Sequence, residues 1–465
     1  MRPKATPATY YARLTLLKKL FWLYFLLLIF EGALRKWVVP QLSAPLLVVR
    51  DPVGLMIIWE AFRTGKWPHK WTTLLTFLTA GLVGLCMAQV VAGNISWLVG
   101  LYGLRSYLLP FPVAFIMAEN LDREDLRKFG DWIIFLMLPM SVLAAVQYAS
   151  PSGSFVNNGA YEGAGQIGYF GAHVRAAGTF SFVSGLESFV ALAGAFIVYG
   201  FVTPGFAKKW VLRASAFAII FSIPMMGSRT VVVQLALMIG CMGIGAMMGI
   251  SQFGKMLRVT LPVALVWLLV SVLPVFSDAM YSMTQRFVGA AVAEGGGSQE
   301  RTLIYRTARP AEDAISEALS SNDWLGIGIG RGAVAVQAFL TGEKTGIAGE
   351  YEFSHEFVEM GLFGGGAFSL IKLFLAIALI GPAMARVRNN ESLALLLLPF
   401  AVVSLVFAVP EQPTEQGFLV LSMAFCIAAA KAPVQAAVLR RPPAMRRQHM
   451  LYSRPLLRGD RRGGL

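Results

Sequence analysis

The residues best suited to chemistry are arginines, glutamates and a histidine that lie between apolar runs of the chain. Arginines occur at 172–180, at 227–230 and at 300–306, and several glutamates surround the histidine, His355. An arginine side chain holds a phosphate group through two parallel N–H donors and stays charged when it is partly dehydrated. A histidine or a glutamate can accept the proton of a hydroxyl group. These residue types predict a site that binds an anion and has possible proton acceptors nearby.

Ion pairing is the alternative explanation for some of these charges. Arg35 lies one helical turn after Glu31, and Arg50 directly precedes Asp51, so each has a carboxylate within reach. Arg229 has no acidic residue near it in the sequence. Charges at membrane depth are costly and usually functional. Arg229 is therefore the arginine for which ion pairing explains least.

The composition predicts that membrane-spanning helices position these residues. The chain has 465 residues, of which 56% are hydrophobic and 14% charged, and its mean hydropathy is +0.62. A soluble domain carries about 25% charged residues, so we expect an all-α polytopic membrane protein. About twelve apolar runs reach the length of a span. Their approximate bounds are 16–36, 43–62, 71–91, 97–118, 132–148, 184–202, 211–224, 230–250, 259–275, 361–380, 392–410 and 417–430.

The distribution of basic residues predicts the orientation of these spans. Of the 40 Lys and Arg residues, 27 lie at the N-terminus, in every second connection or in the tail 431–465. Such positions face the cytoplasm, so we expect a membrane domain over 1–430 with both termini cytoplasmic. The large loops 149–183 and 276–360 then lie on the outer side, with the turn at 227–229. The net charge of +14 follows from this topology. A tail almost without aromatic residues argues against nucleic acid and indicates a disordered segment on anionic lipid.

Three smaller patterns bear on the site. Pro310, followed by acidic residues, predicts a short helix over 311–320. The glycines at 326–330 follow no strand, so they predict a flexible backbone turn and not a dinucleotide-binding loop. The three cysteines lie in apolar runs without CxxC spacing, which argues against disulfides and a zinc site.

Four short motifs occur in order along the segments expected on the outer side. They are RAAGTF at 175–180, GSR at 227–229, ERTLIYR at 300–306 followed by GIGIG at 326–330, and EMGLFG at 359–364. In order and spacing they resemble the motifs of the O-antigen ligase and O-antigen polymerase superfamily of bacterial inner-membrane proteins. The resemblance covers about 170–375 by motif and the rest of the chain by topology.

This resemblance implies a C-type glycosyltransferase architecture with its active site in the periplasm and no metal or other cofactor. The donor would be an undecaprenyl-pyrophosphate-linked oligosaccharide, and the glycan would pass to an acceptor hydroxyl in polysaccharide polymerisation or ligation. The implied pyrophosphate ligands are Arg229 and Arg301, with Arg175 and Arg306 as second candidates. The implied partners are membrane lipids and chain-length or export proteins.

The sequence departs from the family at the proton acceptor. The family usually has His-Asn about nine residues before the Glu of Glu-x-Gly-Leu, and Glu350 stands there in this chain. The histidine of the large loop is His355, so the base is expected to be His355, Glu350 or Glu352. Two alternatives stay open: a transporter or flippase for lipid-linked glycans, and a non-catalytic partner of an export machine.

Overall fold

The computed structural model describes residues 7–159, 173–247, 274–295, 309–320, 324–333, 336, 352–388, 391–409 and 411–431. Most of these residues are helical, and no β-strand occurs among them. Besides the single α-helical turn Ser43–Leu46, the helices are α1 (Pro7–Ala33), α2 (Arg50–Thr64), α3 (Thr72–Val91), α4 (Trp97–Leu108), α5 (Pro110–Asn120), α6 (Arg123–Ala149), α7 (Val183–Val202), α8 (Lys209–Met226), α9 (Arg229–Met247), α10 (Pro274–Gly295), α11 (Arg309–Ser320), α12 (Glu352–Val387), α13 (Leu393–Phe407) and α14 (Pro413–Ala430).

Eight helical segments in the described ranges are long and apolar enough to cross a membrane. Two shorter apolar helices, Arg229–Gly245 and Leu393–Phe407, accompany them. These ten segments coincide with ten of the twelve predicted spans. The first predicted span falls on α1 and the π-helical turn Leu34–Val38 that follows it. The ninth, 259–275, lies almost wholly outside the described residues, and so do the tail 432–465 and the parts 296–308, 321–323, 334–335 and 337–351 of the loop 276–360.

Local signals explain where two of the helices depart from the predicted bounds. α6 begins at Arg123 rather than at 132, because Asp122 and Asp125 form a capping box at its start. The Asp122 carboxylate accepts the Asp125 N–H at 2.9 Å, and the Asp125 carboxylate accepts the Asp122 N–H at 3.1 Å. The predicted fourth span is divided into α4 and α5 at Pro110, which takes the first position of the new helix.

Helix α14 forms the centre of the bundle. It packs against α5, α12, α13, α7, α6 and α1, and its residues from Gln416 to Ala428 are buried. Aromatic rings join these helices: Phe425 contacts Phe129 of α6 and Phe196 of α7, and Phe418 contacts Phe180. Close packing of this kind holds membrane helices together, since lipid tails are as apolar as the side chains they would replace.

The glycine-rich segment 324–333 is fastened to the first turns of α12. Ile327 N–H donates to the Val358 carbonyl at 2.9 Å, and Gly328 N–H donates to the Glu359 carbonyl at 3.1 Å. Gln89 of α3 donates to the same Glu359 carbonyl at 2.8 Å. α12 is interrupted at Gly361, whose φ of +69° is available to glycine. The predicted turn at 326–330 is thus present, and its backbone is held in place rather than flexible.

The short helix predicted over 311–320 is confirmed as α11, which starts at Arg309. It packs against α12. The helix therefore belongs to the bundle, although it is amphipathic and too short to cross a membrane.

Candidate functional site

A polar cavity of about 510 Å³ lies where the C-terminal ends of α1 and α8 meet the N-terminal ends of α7, α9 and α14. Four arginines among the described residues line it, and we call it the arginine cavity. They are Arg35, Arg175, Arg229 and Arg286. Three glutamates also line it: Glu187, Glu411 and Glu415. The cavity therefore combines an excess of guanidinium groups with several carboxyl groups, which is an arrangement suited to a multiply charged anion.

Arg175 lies on the extended segment before α7 and is positioned by the end of α8. Its Nε donates to the Met226 carbonyl at 2.9 Å, and its Nη2 pairs with the Glu187 carboxylate at 2.9 Å. The N–H of Ala176 donates to the Met225 carbonyl at 3.1 Å, so the segment is bound by backbone as well as side-chain contacts. Arg175 is 9% exposed. A partly dehydrated guanidinium interacts with an anion more strongly than one in water.

Arg229 is the first residue of α9, and a tight turn before it directs its side chain toward the cavity. Gly227 ends α8 with a φ of +57°, which a residue with a side chain rarely adopts. Ser228 then caps α9 by accepting the Val231 N–H at 3.4 Å. The Arg229 guanidinium lies 5.8 Å from the centre of the Phe287 ring. The partial positive charge at the N-terminal end of α9 adds to the attraction for an anion.

Arg35 is held at the cavity wall by the turn after α1. Its Nη1 donates to the Ser181 hydroxyl at 2.9 Å, and its Nε donates to the Ser43 carbonyl at 3.0 Å. The nearest carboxylate oxygen of Glu31 is 3.7 Å from Nη1. Arg35 thus has the predicted ion pair with Glu31, and it lines the arginine cavity as well.

Arg50 and Arg105 belong to ion pairs outside the arginine cavity. Arg50 pairs with Glu31 at 2.9 Å and also donates to the Pro413 carbonyl. Asp51 pairs with Arg105 at 2.6 Å and not with its neighbour in sequence. Ion pairing therefore explains Arg50, although the predicted partner was Asp51 and the observed partner is Glu31.

The candidates for proton transfer lie elsewhere. His355 is half-buried near the start of α12, does not line the arginine cavity, and its Nδ1 has no hydrogen-bond partner among the described residues. Glu352 is the first residue of α12. Glu350, Arg301 and Arg306 lie outside the described residues. Of the seven predicted site residues, the structure thus brings Arg175 and Arg229 together.

Four further charged residues of the cavity were not singled out from the sequence: Glu187, Arg286, Glu411 and Glu415. Arg286 is one arginine among many in a long loop, and Glu187 sits in the apolar pattern of α7. Glu411 precedes α14 and is followed by Gln412, Glu415 and Gln416. Their only sequence signal is a charged residue next to an apolar run, which is too common to identify a site.

A long apolar groove borders the arginine cavity. Its volume is about 1230 Å³, and residues of α2, α3, α4 and α5 line it. Tyr102 lines both the groove and the arginine cavity. In the described part of the chain, the charged residues on the groove are the paired Asp51 and Arg105, and the remaining lining is largely aliphatic and aromatic. An apolar groove and a cationic cavity thus share a wall.

No family model matches the chain, and none of the curated proteins compared with it matches. Within the described residues, no three His, Cys, Asp or Glu side chains are arranged to hold a metal ion. The arginine cavity, the groove and the chemistry of their side chains are therefore the observations that bear on function.

Proposed function

We propose that this protein transfers a glycan from an undecaprenyl-pyrophosphate-linked donor to an acceptor hydroxyl at the periplasmic face of a bacterial inner membrane. The reaction would polymerise or ligate a polysaccharide, as in the O-antigen ligase and polymerase superfamily that the sequence resembles. The observation that carries the proposal is the four-arginine cavity, which shares Tyr102 with a long apolar groove.

The arginine cavity suits the pyrophosphate of such a donor. Arg175 is bound to the Met226 carbonyl at the end of α8, and the Gly227 turn leads from there to Arg229, so one anion can contact both. Arg286 and Arg35 add charge from the other walls. A pyrophosphate diester carries two negative charges, and guanidinium groups bind such oxygens in pairs. A dianionic ligand would then explain why the cavity has more arginines than carboxyl groups.

The groove suits the polyprenyl chain of the same donor. Its aliphatic lining runs along helices long enough to cross a membrane, so a lipid chain could enter from the bilayer. Burial of apolar surface contributes about 25 cal/mol per Å² in water, although the gain is smaller for a chain already in lipid. We expect the groove to orient the chain more than to increase affinity.

The topology completes the proposal. We propose twelve spans, cytoplasmic termini and a periplasmic site, because the basic residues of the chain favour that orientation. Partners would be the lipid-linked oligosaccharide, membrane lipids, and chain-length or export proteins that receive the product.

In the proposed reaction the acceptor oxygen forms a bond to C1 of the donor sugar. The bond between C1 and the pyrophosphate oxygen breaks, and its electron pair stays with the leaving pyrophosphate. Fixed guanidinium groups stabilise the charge that develops there. The acceptor proton passes to a base, for which His355, Glu350 and Glu352 remain the proposed candidates. A positioned base contributes about 10²–10⁴-fold to such a rate.

The test is glycan transfer by purified protein in liposomes that contain the lipid-linked donor. We expect Arg229→Ala to lower the rate by about 10²–10³-fold, as for removal of one group that stabilises transition-state charge. Arg213→Ala is the matched control: Arg213 is exposed on α8, about 20 Å along the helix from Met226. Undiminished transfer by Arg229→Ala, at an equal protein level, would reject the proposal.

A transporter or flippase for the same lipid is the second candidate, and one observation favours it. Glu356 and Lys372 of α12 form an ion pair inside an apolar helical segment, and both are at most 1% exposed. Buried charges of this kind are common in transport pathways. Movement of labelled donor across the liposome membrane without glycan transfer would support this function over the first.

A further inference from the structure

Helix α10 carries three polar side chains along one face. Asp278, Ser282 and Arg286 are each four residues apart, so they project from the same side of the helix. Arg286 lines the arginine cavity. Ser282 lies about one helical turn before it, and Asp278 about two turns before it. The contacts of Asp278 and Ser282 therefore bear on where this face places Arg286.

The first two residues of this face contact the end of α6 and the segment before α7. Nε2 of His173 lies 3.0 Å from the Asp278 carboxylate, and the Tyr148 hydroxyl donates to the same carboxylate at 3.3 Å. The hydroxyl groups of Tyr148 and Ser282 are 3.2 Å apart. We call His173, Tyr148, Asp278 and Ser282 the His173 cluster.

The His173 ring is fixed at both of its nitrogens. Nδ1 faces the Tyr148 carbonyl at 3.0 Å, and Nε2 faces Asp278. The ring also stacks on the Tyr148 ring, with 4.3 Å between the ring centres. A carbonyl and a carboxylate both accept hydrogen bonds, so the doubly protonated imidazolium is the form that satisfies both. Tyr148 and Ser282 are buried, so the cluster stands on packed residues of α6 and α10.

Apolar packing alone would leave the position of α10 loosely defined. The helix packs against α8, where the rings of Phe276 and Phe221 lie 5.8 Å apart. Apolar contact is non-directional, whereas a hydrogen bond depends on distance and angle. The His173 cluster therefore sets how α10 is rotated and how far it lies along α8.

We propose that His173 and Asp278 are positioning residues that place Arg286 at the arginine cavity for binding of a pyrophosphate diester. The inference rests on the proposed function. His173 lies two residues before Arg175, and Asp278 lies eight residues, about 12 Å, before Arg286. Their contact thus joins the two elements that bring Arg175 and Arg286 to the cavity.

The exposure of the pair indicates where its loss should be measured. The side chain of His173 is 32% exposed and that of Asp278 is 58% exposed. Ion pairs in such surroundings contribute little to stability. We therefore expect loss of the contact to weaken binding with little change in the free energy of unfolding.

The experiment measures equilibrium binding of a synthetic farnesyl-pyrophosphoryl-glucose to the full-length protein in detergent. All variants are compared at one pH of about 6, where histidine in water is mostly charged. Asp278→Ala removes the carboxylate, and His173→Phe keeps a ring against Tyr148 but loses both nitrogens. Each should lower the affinity by about threefold to tenfold, and Arg286→Ala by about tenfold. Thr284→Ala, an exposed position on another face of α10, is the matched control and should bind as wild type.

The direction of these effects separates positioning from a direct effect of charge. Removal of an acid would by its charge alone strengthen binding of a dianion, and removal of an imidazolium would weaken it. Positioning predicts weaker binding in both Asp278→Ala and His173→Phe. It also predicts that Asp278→Ala/Arg286→Ala binds as weakly as Arg286→Ala alone, because a residue that acts through another has no further effect once the other is gone.

The outcomes distinguish the inference from the proposed function. If Arg229→Ala binds the diester as well as wild type, the proposed function fails. If Arg229→Ala binds weakly, wild-type affinity in Asp278→Ala or in Arg286→Ala rejects the positioning role. Tighter binding by Asp278→Ala also rejects that role, as does a double variant in which the two single losses multiply.

Discussion

Two groups of arginines lie close together in this protein and have different environments. In the first group, Arg50 and Arg105 each meet a carboxylate at hydrogen-bonding distance, and we call the set Glu31, Arg50, Asp51 and Arg105 the ion-pair layer. In the second, the arginine cavity, four arginines surround about 510 Å³ of open space. Arg175 and Arg35 of the cavity also have carboxylate neighbours, so the two groups differ in the open space beside the guanidinium groups and not in ion pairing. We propose that the first group serves structure and the second serves binding.

Glu31 connects the two groups. Its Oε2 pairs with Arg50 of the ion-pair layer, and its Oε1 approaches Arg35 of the arginine cavity. All three side chains are at most 3% exposed. Gly417 of α14 makes room for Arg50, since a Cβ there would collide with its guanidinium. The layer is thus built into the packing of α14 against α1 and α2.

The largest effect is expected from Glu31→Gln, which breaks the ion-pair layer. Arg50 would remain buried with its carboxylate partner gone, and an uncompensated buried charge costs about 3–5 kcal/mol. We expect a loss of that size in the free energy of unfolding, measured by denaturant titration in detergent. Binding of the pyrophosphate diester by the protein that stays folded should change less. Unchanged stability would show that the layer has no structural role.

The next effect is expected from Arg175→Lys in the arginine cavity. Lysine keeps the charge but lacks the planar guanidinium group, whose separate nitrogens can contact Met226, Glu187 and an anion at the same time. Glycan transfer should fall by about 10²-fold, while the free energy of unfolding changes by about 1 kcal/mol. If Arg175→Lys lost as much unfolding free energy as Glu31→Gln and kept its glycan transfer, the comparison of the two arginine groups would be contradicted.

A smaller effect is expected from Leu101→Trp, which narrows the groove. Leu101 lines the groove and is 58% exposed, so a larger side chain there should not disturb the core. The KM for an undecaprenyl donor should rise several-fold, because the polyprenyl chain would lose part of its contact with the groove. The KM for a short-chain donor is the internal control and should not change. Equal changes for both donors would mean that the chain lies elsewhere.

The smallest effect is expected from Glu391→Gln, the matched control for Glu31→Gln. Glu391 also joins two arginines, Arg123 and Arg386; its own side chain is 25% exposed and that of Arg123 is 57% exposed, whereas Arg386 is buried. Pairs in that environment contribute about 0–1 kcal/mol each. We expect little change in unfolding free energy and none in glycan transfer. A loss equal to that of Glu31→Gln would remove the distinction between buried and exposed pairs.

The helices were largely predictable from the sequence, because runs of about 20 apolar residues have few other structures. The break at Pro110 and the start of α6 at Arg123 were missed, since both depend on local signals inside or beside an apolar run. Glu359 illustrates the opposite case. Its motif was recognised, but its partners at Gly330, Gly332 and Tyr107 come from distant parts of the chain.

The candidate site was predictable only in part. Arg229 stood out because no acid lies near it in sequence, and the structure places it in the arginine cavity. The partner of Arg50 was predicted as Asp51, whereas the fold supplies Glu31. Sequence neighbours on a helix point in different directions, so spacing identifies a possible ion pair but not the one that tertiary packing selects.

The most direct test of the account is a cryo-electron microscopy structure with a farnesyl-pyrophosphoryl-glucose bound. The account predicts density for the two phosphates between Arg175 and Arg229, with the prenyl chain passing Tyr102 into the groove. Phosphate density outside the arginine cavity, with the cavity itself unchanged, would contradict it.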